Sequence, residues 1–204
     1  MMRWLASRGF VKLGALCAIA VIAAGCSTQP SRFYTLSRAP APAGAPAAMS
    51  SNISVVVGPV SIPGVVDLPQ IVVSTGPNQV SIDEFNRWAS PLQSNISRVV
   101  AENLVTMLGA PRVAQFQQSL NLDADFRVAI EVQSFDSAPG DAATLNAVWI
   151  VRRTKDGKSQ TGRTTLREPT GAAGMDALAA AHSRALAQMS QEIANAIRAL
   201  ERAT

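Results

Sequence analysis

Phe126-Arg127-Val128-Ala129-Ile130-Glu131-Val132-Gln133 decides the fold. Apolar Phe126, Val128, Ile130 and Val132 alternate with Arg127, Ala129, Glu131 and Gln133, the period of a strand with one face buried. The segments after it follow suit. Leu145, Ala147, Trp149 and Val151 share one face of a second strand. Lys155-Asp156-Gly157-Lys158 is a tight hairpin turn, with Asp-Gly supplying positive φ. Gln160 to Glu168 returns as a polar strand. The period then changes to that of a helix. Met175, Leu178, His182, Ala185, Leu186, Met189, Ile193, Ile197 and Leu200 form one stripe, predicting a long helix from Met175 to about Glu201.

Upstream, Leu92, Ile96, Val99, Val100, Leu104, Met107 and Leu108 make a second helical stripe. Ser90 is the expected N-cap, Pro91 the first helical residue, and Gln93 completes a capping box with Ser90. Gly109 and Pro111 end the helix. Three short strands precede it: Ile53 to Val57, Gln70 to Ser74 and Gln79 to Ile82, with Gly76-Pro77-Asn78 turning between the last two. The prolines nearby point to sheet edges or strand starts. Trp88 is expected to pack against the helix's first turns. The order is strands, helix, strands, helix. The fold class is α+β: a single domain with an antiparallel or mixed β-sheet and two main helices packed on one face.

Further out lies Ala39-Pro40-Ala41-Pro42-Ala43-Gly44-Ala45-Pro46-Ala47-Ala48, uncharged and rich in Pro and Ala. It reads as an extended connector. Before it, Arg32-Phe33-Tyr34-Thr35-Leu36 is a strand-like patch holding the single tyrosine. Docking of Phe33-Tyr34-Thr35-Leu36 on the domain would make the connector, residues 39–49, a loop and leave only Ser27 to Arg32 free.

The N-terminus is a targeting signal. Arg3, Arg8 and Lys12 precede a run, Leu13 to Ala24, that is almost wholly apolar and too short for the ~20 residues of a spanning helix. Ala23-Ala24-Gly25-Cys26 follows and matches a lipobox in three positions, departing at Ala23, where that pattern prefers Leu; Ala23 and Gly25 also suit an ordinary signal peptidase, with the same cut. The expected organisation is a signal peptide at 1–25, a lipidated N-terminus and tether at 26–32, and the domain at 33–204. Only Cys17 and Cys26 exist, and Cys17 leaves with the signal peptide. Acylation of Cys26 by diacylglycerol and an amide-linked chain spares the exported protein a lone reactive thiol. The absence of an acid beside Cys26 resembles lipoproteins passed to the outer membrane. Loss of three positive charges with the signal peptide takes the net charge from +4 to +1. Nucleic acid is therefore not an expected partner.

Chemistry-bearing residues are few. His182 is the only histidine and lies on an apolar stripe, as a packed or boundary residue does. One His and no free Cys leave no zinc spacing. Asp83-Glu84 and Asp123-x-Asp125 sit beside predicted element boundaries, where carboxylates act as caps and turn-formers. Arg152-Arg153-Thr154-Lys155 with Lys158 reads as solvated edge protection, or as a contact for anionic headgroups. No catalytic, metal or cofactor set is expected.

Phe33-Tyr34-Thr35-Leu36, Val57-Gly58-Pro59-Val60, Ile62-Pro63, Leu68-Pro69-Gln70-Ile71-Val72 and Arg87-Trp88-Ala89-Ser90-Pro91-Leu92 occur in this order. Together they resemble the PqiC-like ABC-type transport auxiliary lipoproteins. The resemblance implies a non-catalytic lipoprotein on the periplasmic face of the outer membrane. The implied partners are a mammalian-cell-entry (MCE) type periplasmic transport subunit, outer-membrane lipid and other copies of the chain in a ring. The implied cargo is phospholipid or another hydrophobic molecule. The other reading of an exported, tethered, non-enzymatic domain is an activator of a cell-wall synthase acting by protein contact.

Overall fold

The computed structural model describes residues 29–38, 40, 52–110, 112–116 and 123–203. The expected signal peptide, Cys26 and, apart from Pro40, the Pro/Ala segment 39–49 lie outside the described residues. Eight strands and two helices follow one another among them: β1 (Arg32–Tyr34), β2 (Ser54–Ser61), β3 (Gln70–Gly76), β4 (Gln79–Trp88), α1 (Leu92–Leu108), β5 (Arg112–Gln115), β6 (Phe126–Ala138), β7 (Ala142–Arg153), β8 (Ser159–Pro169) and α2 (Met175–Arg202).

The alternation at Phe126 sets the architecture as expected. Phe126, Val128, Ile130 and Val132 are buried, and Arg127, Glu131 and Gln133 are exposed. Between Val132 and Ser134 the register against β7 slips. The slip moves the inward phase from even to odd positions, so Phe135 and Ser137 face the core. β6, β7 and β8 form an antiparallel meander, and β2 and β5 add to it in parallel, giving the order β5-β2-β6-β7-β8. The other three strands form a separate sheet, β1-β4-β3.

Both helices pack on the five-stranded sheet and on each other, α1 over β2 and β5, α2 over β6, β7 and β8. Their apolar stripes are the buried ones: Leu92, Ile96, Val99, Val100 and Leu104 in α1, and Leu178, Leu186, Met189, Ile193 and Ile197 in α2. Each such side chain contributes roughly 1.5–3 kcal/mol over its exposed state. The result is one α+β unit with mixed sheets and two helices.

Four expectations are corrected. The Ser90–Gln93 capping box does not form: Pro91 is the N-cap, its carbonyl accepting from Asn95 N (3.0 Å), and no side chain caps the helix. Gln93 instead donates Nε2–H to the Val60 carbonyl of β2, a backbone acceptor beside the register shift between Val57 and Val60. Second, β2 is an inner strand despite Pro59. β5 pairs only with Ser54–Val57, so the cis Gly58-Pro59 bond lies beyond that ladder, at a bulge, where proline removes no needed donor. Third, β4 does not stop at Ile82. It passes through an irregularity, Ile71 pairing with Asp83 but Gln70 with Arg87, and continues to Trp88. Fourth, β5 was not expected at all.

Candidate functional site at the tether junction

β1 is the first strand among the described residues, and three elements hold it and the residues just after it. It pairs in parallel with the end of β4, Tyr34 opposite Trp88. Ala89 N donates to the Tyr34 carbonyl (2.8 Å), and Tyr34 Oη donates to Asn86 Oδ1 (3.0 Å). Leu36 is 1% exposed. Its carbonyl accepts from Arg98 Nη2 of α1 (2.6 Å), and Ser37 N donates to Ser183 Oγ of α2 (3.1 Å). Arg98 is itself oriented by Asn95 Oδ1 (2.7 Å) and Glu102 Oε1 (2.9 Å). The expected docking of residues 33–36 thus occurs, the paired strand itself spanning Arg32–Tyr34. Its anchor is Leu36 and not Phe33, which is 65% exposed.

Beneath the junction sits a ring cluster. Trp88 is 5% exposed, buried as expected, but its ring neighbours come from β6 and α2 and not from the first turns of α1. It meets Phe135 and His182 edge-on, at centroid distances of 6.2 and 6.4 Å. Phe135 and His182 stack at 3.8 Å. His182 hydrogen-bonds Ser137 Oγ through Nε2 (2.9 Å), and Nδ1 has no partner among the described residues. Burial pushes its pKa down to about 3, so the ring is neutral. This is the packed histidine read from the stripe. Among the described residues no carboxylate bonds the ring, the contact that a Ser-His-Asp site uses.

Two clefts lie beside α1. One of about 300 Å³, mostly apolar, is lined by Leu68, Pro69, Trp88, Pro91 and Leu92, with Asp67 and Ser90 at its polar side. The other, about 230 Å³, lies between the β2 bulge and α1, lined by Gly58, Pro59, Gln93, Ser97 and Phe116. Gly58 has φ +124°, and a Cβ there would meet Phe116 Cβ at 2.7 Å, so only glycine fits.

The remaining singled-out residues are structural. Asp83 accepts from the Phe85 and Asn86 amides (3.0 and 2.9 Å), forming a turn inside β4 and not at its boundary. Asp125 Oδ2 accepts from Ser54 N and Oγ (both 2.7 Å), clasping β2 to β6, and these bonds lower its pKa. The basic run divides. Arg152, Lys155 and Lys158 are exposed, but Arg153 is 3% exposed, which corrects its reading as a solvated residue. It bonds Asp156 Oδ1 (3.0 Å) and donates to the Leu200 and Ala203 carbonyls (2.5 and 2.9 Å). It thereby satisfies the C-terminal carbonyls of α2, where positive charge is favoured. Arg98 and Asn95 were missed: they flank an apolar stripe, and nothing in their spacing announces a contact 60 residues away. Among the described residues, no group of three or more His, Cys, Asp and Glu can hold a metal ion, and no helix is long and apolar enough to cross a membrane.

Comparison with solved structures defines the fold class. Protein XCC0632 from Xanthomonas campestris, assigned to the DUF330 family, superposes with a TM-score of 0.68 at 21% identity, covering 85% of this chain and 99% of its own. A second crystal structure, of an uncharacterised protein, also gives 0.68, at 23% identity, covering 83% and 99%. Both define one α+β fold. Residues 34–194 match the family of the ABC-type transport auxiliary lipoprotein component, and the chain belongs to that family. No curated protein matches the chain.

Proposed function

We propose that the mature chain begins at an acylated Cys26, stands on the periplasmic face of the outer membrane, and serves without catalysis as an accessory of an MCE-type ABC system that moves lipid between membranes. The match of residues 34–194 to the transport auxiliary family carries this reading. The junction supports it: a strand at the exit of the tether is clamped by β4, α1 and α2, which suits a domain held at a fixed height. In this reading the organisation is signal peptide 1–25, tether 26–32 and domain 33–204. The partner is an MCE subunit, other copies of the chain join it in a ring, and the two clefts are the places for apolar partner side chains.

The test is purification of the acylated full chain from membranes with its bound proteins. Recovery of an MCE subunit, with loss of the domain from outer-membrane fractions on Cys26→Ala, is the expected result. Recovery of a cell-wall synthase in its place would overturn the transport reading. Full retention of Cys26→Ala on outer membranes in high salt would overturn the anchor.

A further inference from the structure

Docking of β1 uses only one of its faces. Arg32 and Tyr34 lie beside Asn86 and Trp88, while Phe33 lies beside Arg87. The Tyr34–Asn86 bond and the buried Trp88 mark the first face as the inward one. Phe33 therefore points outward. Phe85, two residues before Arg87, is also exposed, at 38%. A cation lies beside Phe33: Arg87, its neighbour on β4, is half-buried. The nearby acids are engaged, Asp83 by the Phe85 and Asn86 amides and Glu84 by Gln70 Nε2 (3.4 Å).

We propose that this face rests on the lipid surface that holds Cys26. Phe33 and Phe85 enter the boundary between headgroups and acyl chains, and Arg87 meets a lipid phosphate. The proposal rests on the acylated-Cys26 reading. Chain length selects a membrane as the occupant. Ser27 to Arg32 separate the anchor from Phe33, and six residues reach roughly 20 Å at most. Phe33 is thus confined to the first shell above the bilayer, where a protein partner has little room to intervene. The pattern also suits that shell, with exposed rings beside a long cationic side chain that reaches toward headgroups.

The experiment uses the acylated full chain in vesicles of phosphatidylethanolamine and phosphatidylglycerol. A fluorophore is placed at Phe33→Cys, and a reference label at Gln191→Cys on exposed α2. Lipids carrying a quencher near the headgroup should quench the Phe33 label about threefold more than the reference. Equal quenching at the two sites overturns the proposal. So does protection of the Phe33 label from aqueous iodide without lipid quenching, which identifies a second copy or another protein as the occupant. The mass of the mature N-terminal peptide is measured on the same sample. Absence of acyl chains defeats the anchor reading, and the face is then judged by sedimentation of the unacylated protein with the same vesicles. There Phe33→Ser with Phe85→Ser should lower binding about tenfold, and equal binding overturns the proposal.

Discussion

His182 has the ring of a catalytic residue and the surroundings of a core one. The folded protein holds its pKa near 3, against an ordinary 6.5. Between those values the unfolded chain takes up a proton that the folded chain refuses, so stability is complete above about pH 6.5 and falls on acidification. At 1.36 kcal/mol per unit, the loss at pH 5 is about 2 kcal/mol. His182→Leu should flatten the stability profile between pH 6.5 and 5 in urea titrations. An undiminished slope would assign the acid sensitivity to other groups. The lowered carboxyls of Asp125 and Asp156 push the same way, but only below about pH 4. Trp88 tests the same cluster from the other side. Its replacement by Ala should cost about 3 kcal/mol, because Phe135 and His182 both lose a neighbour; a near-zero change would mean that the cluster collapses onto the space.

At the scale of elements, the patterns with a strong period were legible. The β6 alternation, the hairpin turn with Gly157 at φ +73° and both helical stripes are where they were expected. What was hidden depends on partners distant in sequence. β5 is four residues long, too short for a period to show, and exists because β2 offers it a parallel ladder. β4 outran its expected end because Asp83 takes up the amides that the bulge frees. The capping box at Ser90 was sound local chemistry that lost to a backbone carbonyl on another strand. Arg153 looked solvated since its acceptors, the Leu200 and Ala203 carbonyls, lie about fifty residues away. The junction was half legible: the docking of residues 33–36 was readable from its strand formers, but not which ring faced in. That division yields a prediction for β1. Leu36→Ala should destabilise the domain by about 2–5 kcal/mol. Phe33→Ser, on the exposed side, should leave the urea midpoint within about 0.5 kcal/mol of the parent. Equal losses would place both side chains in the core.

At the scale of the molecule, the attachment strand has a mechanical consequence. Its fixings are a three-residue ladder to β4, the Tyr34 bonds to Asn86 and Ala89, the Arg98 and Ser183 contacts, and one fully buried leucine. Tension between the membrane and a partner gripping the rest of the domain would load these first, well before the long β6–β7–β8 meander. In the acylated organisation proposed above, release of β1 would pass the load to the ladder that begins at Ser54 of β2. The reach above the anchor would then grow from roughly 20 Å to roughly 90 Å. The junction would thus act as a force fuse, yielding once to lengthen the leash while the domain stays folded. Pulling a single molecule by its N-terminus against its C-terminus should show a first, low-force extension of at most roughly 70 Å, ahead of the main rupture. A single rupture without that step would show that β1 yields no sooner than the core.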